Sequence, residues 1–207
     1  MDRYNIHIID DDQTLLRSWV MLFESLGYDV HEYQSANDFL TNYNRRQIEC
    51  IIIDIWLPGC NGDKLFEEIR HRGITAPCIF WSGQMSIELA VNLMKKGAVN
   101  VIEKGVEHLK IKAAIDDALK ICQKSRVKQS LLETFKKNLK RLSKTELEVF
   151  ESILERKSVD ETAMLKNRSP RTISEQRRNI FRKLELKTAN EVYNHCREIG
   201  YIVYPSW

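Results

Sequence analysis

The chain has 207 residues, room for one large domain or two modest ones, and 43% of them are hydrophobic, enough for real cores. No apolar run approaches the roughly 18 residues of a membrane span, and the opening MDRYNIHIIDDD lacks the basic end and long apolar middle of a signal peptide, so a cytoplasmic protein with no membrane partner is expected. The net charge of +3 hides an asymmetry: residues 1–122 hold 13 Lys and Arg against 18 Asp and Glu, whereas residues 123–207 hold 19 against 11, which points to a control module joined to a nucleic-acid module.

The first strand is Asn5 to Ile9, and it ends in Asp10, Asp11 and Asp12. Residues 13–26 place Leu16, Trp19, Val20 and Phe23 at helical spacing, closed by Gly27. A short strand over Tyr28 to Glu32 follows, and Ser35 caps a helix carrying Phe39 and Leu40. The stretch ECIIIDIWLPGCNG is the most telling, because three isoleucines stop at Asp54 and a turn built on Pro58, Gly59, Asn61 and Gly62 begins at once. A lone carboxylate at the rim of a core costs on the order of several kcal/mol unless a cation, hydrogen bonds or water compensate it. Asp54 is therefore expected in an open site, the alternative being an ordinary strand-end aspartate that helps the turn. A helix from about Asp63 to His71, a strand from Pro77 to Trp81 running into Ser82, a helix carrying Ile87, Ala90, Val91 and Met94, and a strand over Val99 to Ile102 ending at Glu103 and Lys104 complete the front half.

Strands alternating with helices argue for an α/β doubly wound sheet of five parallel strands, whose ligands bind beyond the carboxyl ends where the strand order reverses. Asp10 and Asp11, Asp54, Ser82 and Lys104 all collect at that rim. The five cysteines are odd in number and form no CxxC, which fits neither a zinc nor a disulfide framework; Cys60, beside Asp54, is the one with a redox alternative.

IIDDD, IIIDIWLPGCNG, FWSG and VIEK, in that order across about 120 residues, resemble the receiver domain of bacterial two-component response regulators. The resemblance implies that a sensor histidine kinase phosphorylates Asp54 and that Mg2+ assists. Clustered carboxylates repel, and a divalent cation relieves the repulsion. Asp11 and Asp54 are then its direct ligands with the backbone carbonyl of Trp56, and Asp10 acts through water. Lys104 neutralises phosphoryl oxygens, and Ser82 bonds the phosphoryl group and draws its loop inward. Two positions depart from the family: Gly105 replaces the proline after the lysine, and Val101 replaces an aromatic residue that rotates with the switch.

Residues 123–139 are expected to be a helical linker, with Leu131, Phe135 and Leu139 forming either a dimer seam or a face packed on the chain's own domains. The capping box Ser143 to Glu146 opens a helix with Val149, Phe150 and Ile153; a second lies near Val159 to Leu165; Ser169 and Pro170 start a third that runs to about Leu184; and Thr188 starts the last. LSKTELEVF, SPRTISEQRRNIFRKL and the closing TANEV stretch resemble the LuxR-type helix-turn-helix of the NarL/FixJ regulators, the FixJ-like branch fitting best. This implies an all-α four-helix DNA-binding domain over residues 140–207, after a receiver over residues 1–122. The recognition helix would be 170–184, with Ser174, Glu175 and Arg178 reading bases and Arg171, Thr172 and Arg177 as phosphate or scaffold contacts. Arg156 replaces a usual turn glycine, and Thr162, Lys166 and Arg168 replace apolar residues, so either the second helix packs differently or the domain is less stable alone.

The combined reading is a DNA-binding transcriptional regulator, homodimeric when phosphorylated. Two rival readings stand beside it. An aspartyl-phosphate hydrolase resembling the haloacid dehalogenases needs a second Asp two residues after its nucleophile, where Trp56 stands, so an enzyme is not expected. A protein-binding adaptor, or a receiver uncoupled from phosphorylation, is the other.

Overall fold

Ile51, Ile52 and Ile53 are fully buried and form the middle of a five-stranded parallel sheet in this computed structural model, which describes residues 3–44, 49–84, 86–105 and 108–201. The strands are β1 (Asn5–Ile9), β2 (Asp29–Tyr33), β3 (Cys50–Asp54), β4 (Cys78–Ser82) and β5 (Asn100–Glu103), in the order β2-β1-β3-β4-β5. Helices cover both faces, so β3 and β4 are buried along their whole length and read as unbroken apolar runs. On one face Phe39, Leu65, Phe66, Ile69 and Leu93 pack on Ile53 and Phe80. On the other, Leu16, Trp19, Phe23, Ile111 and Ile115 pack on Ile52, Ile79 and Trp81.

The helices of this layer are α1 (Gln13–Ser25), α2 (Ala36–Asn42), α3 (Gly62–His71) and α4 (Ile87–Lys95), followed by α5 (His108–Leu139). Of the three aspartates after β1, Asp12 is the N-cap of α1, accepting from the Thr14 and Leu15 backbone N–H groups, which leaves Asp10 and Asp11 for the rim. Helix α4 departs from the sequence pattern: Leu93 is the side chain it buries, while Ile87, Val91 and Met94 are exposed. The helix meets the sheet along a narrow line through Leu89 and Leu93, too narrow to cover the wider apolar stripe.

The chain divides into two compact units, residues 1–124 and 125–207. Helix α5 runs unbroken across that boundary, and in the second unit its Phe135 and Leu139 are buried in the core with Val149 and Phe150. The second unit adds α6 (Lys144–Leu154), α7 (Val159–Leu165), α8 (Pro170–Leu184) and α9 (Ala189–Glu198). Ser143 and Glu146 form the expected capping box on α6, and Ser158 and Glu161 form a second one on α7. Lys183 of α8 lies 2.6 Å from the Glu146 carboxylate and ties α8 to the start of α6. Among the described residues no helix is long and apolar enough to cross a membrane.

Candidate functional site

Four strands of the first unit deliver their charged or polar ends to one rim beside the β1/β3 reversal. Asp10 and Asp54 are buried, Asp11 is exposed, and one oxygen from each of the three lies within 4.8 Å of the others. Lys104 Nζ donates to Asp54 Oδ2 at 2.8 Å and makes an ion pair of the same length with Asp10 Oδ2. The Trp56 N–H donates to Asp54 Oδ1 at 3.2 Å, and the Asp12 N–H donates to Asp10 Oδ1 at 3.0 Å. Burial pushes the Asp10 carboxyl up, an effect that Lys104 and the Asp12 N–H only partly offset. Burial pulls the Lys104 ammonium down, but Asp10 and Asp54 together carry it above its usual value, so it stays charged.

Three carboxylates against one ammonium leave a formal excess of two negative charges in a small volume. Asp10 Oδ2 is buried and receives no directed hydrogen bond beyond its ion pair. An all-oxygen donor set with an exposed member, Asp11, suits a hard divalent cation such as Mg2+, so the residues present fit that ion.

Ser82 is fully buried and its hydroxyl is turned toward its own loop, donating to the Gln84 carbonyl at 2.7 Å and accepting from the Gln84 N–H at 3.3 Å. The exposed Trp56 donates its indole N–H to the same carbonyl at 3.3 Å. Nothing in the sequence marks Gln84, because a backbone carbonyl carries no residue signal. Gly62 is a second residue that sequence reading placed only in a turn. Its N–H donates to Ile55, and a Cβ there would lie 2.2 Å from the Asp54 carbonyl oxygen, so no side chain fits where α3 starts against the site. At Gly105, φ is +93°, far from the value near −65° that a proline ring imposes. The loop therefore differs from the proline form, yet Lys104 is held, because its N–H donates to the Ser82 carbonyl at 2.7 Å and extends the β4–β5 pairing. Val101 is half-buried, and Cys60 is half-buried with its thiol against the Asn61 carbonyl.

In the second unit the Ser169 hydroxyl accepts from the Thr172 N–H, Pro170 opens α8, and Ile173, Ile180 and Leu184 are buried. Arg171, Thr172, Ser174, Glu175, Arg178 and Arg182 are exposed along the outer side. Arg177 is not on that stripe: its guanidinium turns inward to the Lys157 carbonyl and the Thr162 hydroxyl. The polar residues Thr162 of α7 and Arg168 just after it find partners. Thr162 is fully buried and donates to the Ser158 carbonyl at 2.7 Å, and Arg168 donates to Gln176 and lies 3.7 Å from the Glu148 carboxylate. Arg156 has φ +59°, a left-handed turn, and its guanidinium stacks 3.9 Å over the Tyr193 ring, which helps to offset the strain of that backbone.

Comparison with known proteins agrees with both halves. The response regulator receiver domain matches residues 6–116, and the luxR family of bacterial regulatory proteins matches residues 140–196. The response regulator protein TodT of Pseudomonas putida is 31% identical over 90% of this chain and 82% of its own length. The transcriptional regulatory protein FixJ of Bradyrhizobium diazoefficiens is 26% identical over 95% of this chain and 96% of its own. The solved structure of the response regulator StyR shares the fold, with a TM-score of 0.77 at 21% identity over 95% of this chain and all of that one. With both segments matched and the first covering more than half its length, the chain belongs to the response regulators that join a receiver domain to a luxR-type helix-turn-helix domain, a family of transcriptional regulators and not of enzymes.

Proposed function

We propose that Asp54 accepts a phosphoryl group from a sensor histidine kinase and that this promotes dimerisation and binding of duplex DNA through α8. The observation that carries the reading is the buried Asp54 carboxylate, bonded to Lys104 and gathered with Asp10 and Asp11 at the open rim of the sheet. An Asp54 oxygen attacks phosphorus in line, the bond from phosphorus to the donor's leaving atom breaks, and an acyl phosphate results. Lys104 exchanges part of its contact with Asp54 for a phosphoryl oxygen, and the Ser82 hydroxyl leaves the Gln84 carbonyl to donate to another. Asp11, Asp54, the Trp56 carbonyl and, through water, Asp10 would hold Mg2+, which when bound supplies positive charge to the phosphoryl oxygens.

Incubation with Mg2+ and a small phosphodonor should add the mass of one phosphoryl group, shift sedimentation toward a dimer, and tighten binding to duplex DNA. A phosphorylation-independent regulator is favoured by one observation, that Ser82 is already bonded within its own loop beside Val101 in place of an aromatic residue. Phosphorylation that leaves both sedimentation and DNA affinity unchanged would select it, and DNA binding that is absent in all states would select the adaptor.

Arg178 and Arg171 separate two kinds of DNA contact. Both are exposed and, among the described residues, carry no hydrogen bond or ion pair. Arg178 lies one turn after Ser174 and Glu175, placed to donate two bonds to guanine while Glu175 accepts from cytosine, and Arg171 and Thr172 sit in the first turn near a phosphate. Arg178→Ala should cost about 1–3 kcal/mol on a preferred duplex and relax one base pair, whereas Arg171→Ala should weaken all sequences alike and lower the salt slope by about 1. Affinities over a salt series on preferred and scrambled duplexes decide, and equal losses on both for Arg178→Ala would leave base reading unassigned.

A further inference from the structure

Residues 173, 177, 180 and 184 recur at steps of four, three and four along α8, so Arg177 lies on the buried stripe with Ile173, Ile180 and Leu184 rather than on the outer stripe of Arg171, Glu175 and Arg178. Its Nη2 donates to the Lys157 carbonyl in the turn between α6 and α7 and, at 3.4 Å, to the Thr162 hydroxyl of α7. That hydroxyl gives its own proton to the Ser158 carbonyl, so toward Arg177 it can only accept. The Arg177 Nε is buried without a partner, and burial alone pushes the guanidinium pKa down, as befits a cation that faces neutral oxygens instead of a carboxylate. A guanidinium meant for phosphate has no reason to accept that desolvation.

We propose that Arg177 is a positioning residue for DNA binding, a guanidinium whose Nη2 ties the recognition helix to α7 and to the α6–α7 turn, and that Thr162 is polar because it completes this tie. The inference rests on the proposed DNA reading of α8. An apolar residue at 162 would leave one of the two Nη2 protons unpaired in a buried place, a cost that replacing a single partner always incurs. The tie spans the two helices of the helix-turn-helix, so its loss changes the angle at which α8 presents Ser174, Glu175 and Arg178 without removing any group that touches DNA.

The test uses the full chain and a labelled duplex recovered from a random-sequence pool by the wild-type protein, beside a mixed-sequence duplex, over a salt series. Circular dichroism at the assay temperature identifies variants that remain folded. Arg177→Ala and Arg177→Lys should both lose roughly ten- to a hundredfold affinity for the selected duplex, lose less on the mixed one, and keep the wild-type salt slope. Lysine keeps the charge but lacks the planar guanidinium that fixes the directions of the two Nη2 bonds, so it should fail to rescue. Thr162→Val, which keeps the shape, should shift selectivity in the same direction by a smaller factor and serves if the Arg177 variants do not fold. A salt slope lower by about 1 in Arg177→Ala, with recovery in Arg177→Lys and equal losses on both duplexes, would make Arg177 a phosphate contact and overturn the proposal. Folded variants with wild-type affinity and only a lower melting temperature would overturn it as well. A wild-type chain that enriches no duplex and shows no salt-dependent binding would instead remove the DNA reading itself.

Discussion

Asp54→Asn will not gain phosphoryl mass when incubated with Mg2+ and a small phosphodonor, and its DNA affinity will not respond to the donor. The amide keeps the size of the carboxylate, and its one oxygen can still accept from the Trp56 N–H, while the bond that the second carboxylate oxygen took from Lys104 is lost. What it loses is the anionic oxygen that attacks phosphorus, so the expected loss is complete rather than graded. Lys104, released from one of its two carboxylates, keeps its ion pair with Asp10, and the fold should be retained. Intact mass spectrometry reads the result directly. A variant that still gains one phosphoryl group would place the acceptor elsewhere, with Asp10 and Asp11 the first candidates to replace in turn.

The largest effect on stability should come from a residue outside the site. His7 of β1 is buried among Tyr33, His31 and Phe39, its Nδ1 paired with the Tyr33 hydroxyl at 3.0 Å and its Nε2 buried without a partner. Burial, assisted by the neighbouring His31, lowers its pKa from 6.5 to about 3. The unfolded chain therefore binds a proton here below about pH 6.5 that the folded chain refuses until about pH 3, so the stabilising contribution is fully present above that window and drains away as pH falls through it. About 2–3 kcal/mol should be lost by about pH 4.5. Urea unfolding followed by tryptophan fluorescence reports mainly the first unit, which holds Trp19, Trp56 and Trp81 of the four tryptophans. His7→Phe keeps an aromatic ring in the cluster and removes the titration, so its stability should fall less steeply between pH 7 and pH 4.5. An unchanged slope would mean that His7 is protonated in the folded state at ordinary acid pH.

The architecture was legible in the sequence because each of its rules is local or periodic. Apolar runs such as Ile51–Ile53 have to be buried on both faces, and Asp54 at the end of one marks the open rim. Capping by Ser143 and Ser169, and Pro170 at the first helical position, located α6 and α8 for the same reason: a helix end must satisfy its own backbone groups wherever it lies. Even the inward place of Arg177 is written in the spacing that runs through Ile173, Ile180 and Leu184, although its charge left a phosphate contact open beside a scaffold one.

Only the tertiary structure decided which groups meet. That the Ser82 hydroxyl and the Trp56 indole share the Gln84 carbonyl depends on the return of two loops to one place, and no residue type announces a backbone acceptor. The need for glycine at 62 comes from the carbonyl of Asp54, eight positions earlier, and the tolerance of Gly105 comes from the strand pairing that holds Lys104 from the other side. Likewise the polar Thr162 in α7 and Arg168 after it are explained only by the fold, which brings Arg177, Gln176 and Glu148 to them. Periodicity and capping are properties of a segment and can be read from it; the satisfaction of a buried polar group is a property of two segments and waits for the fold that brings them together.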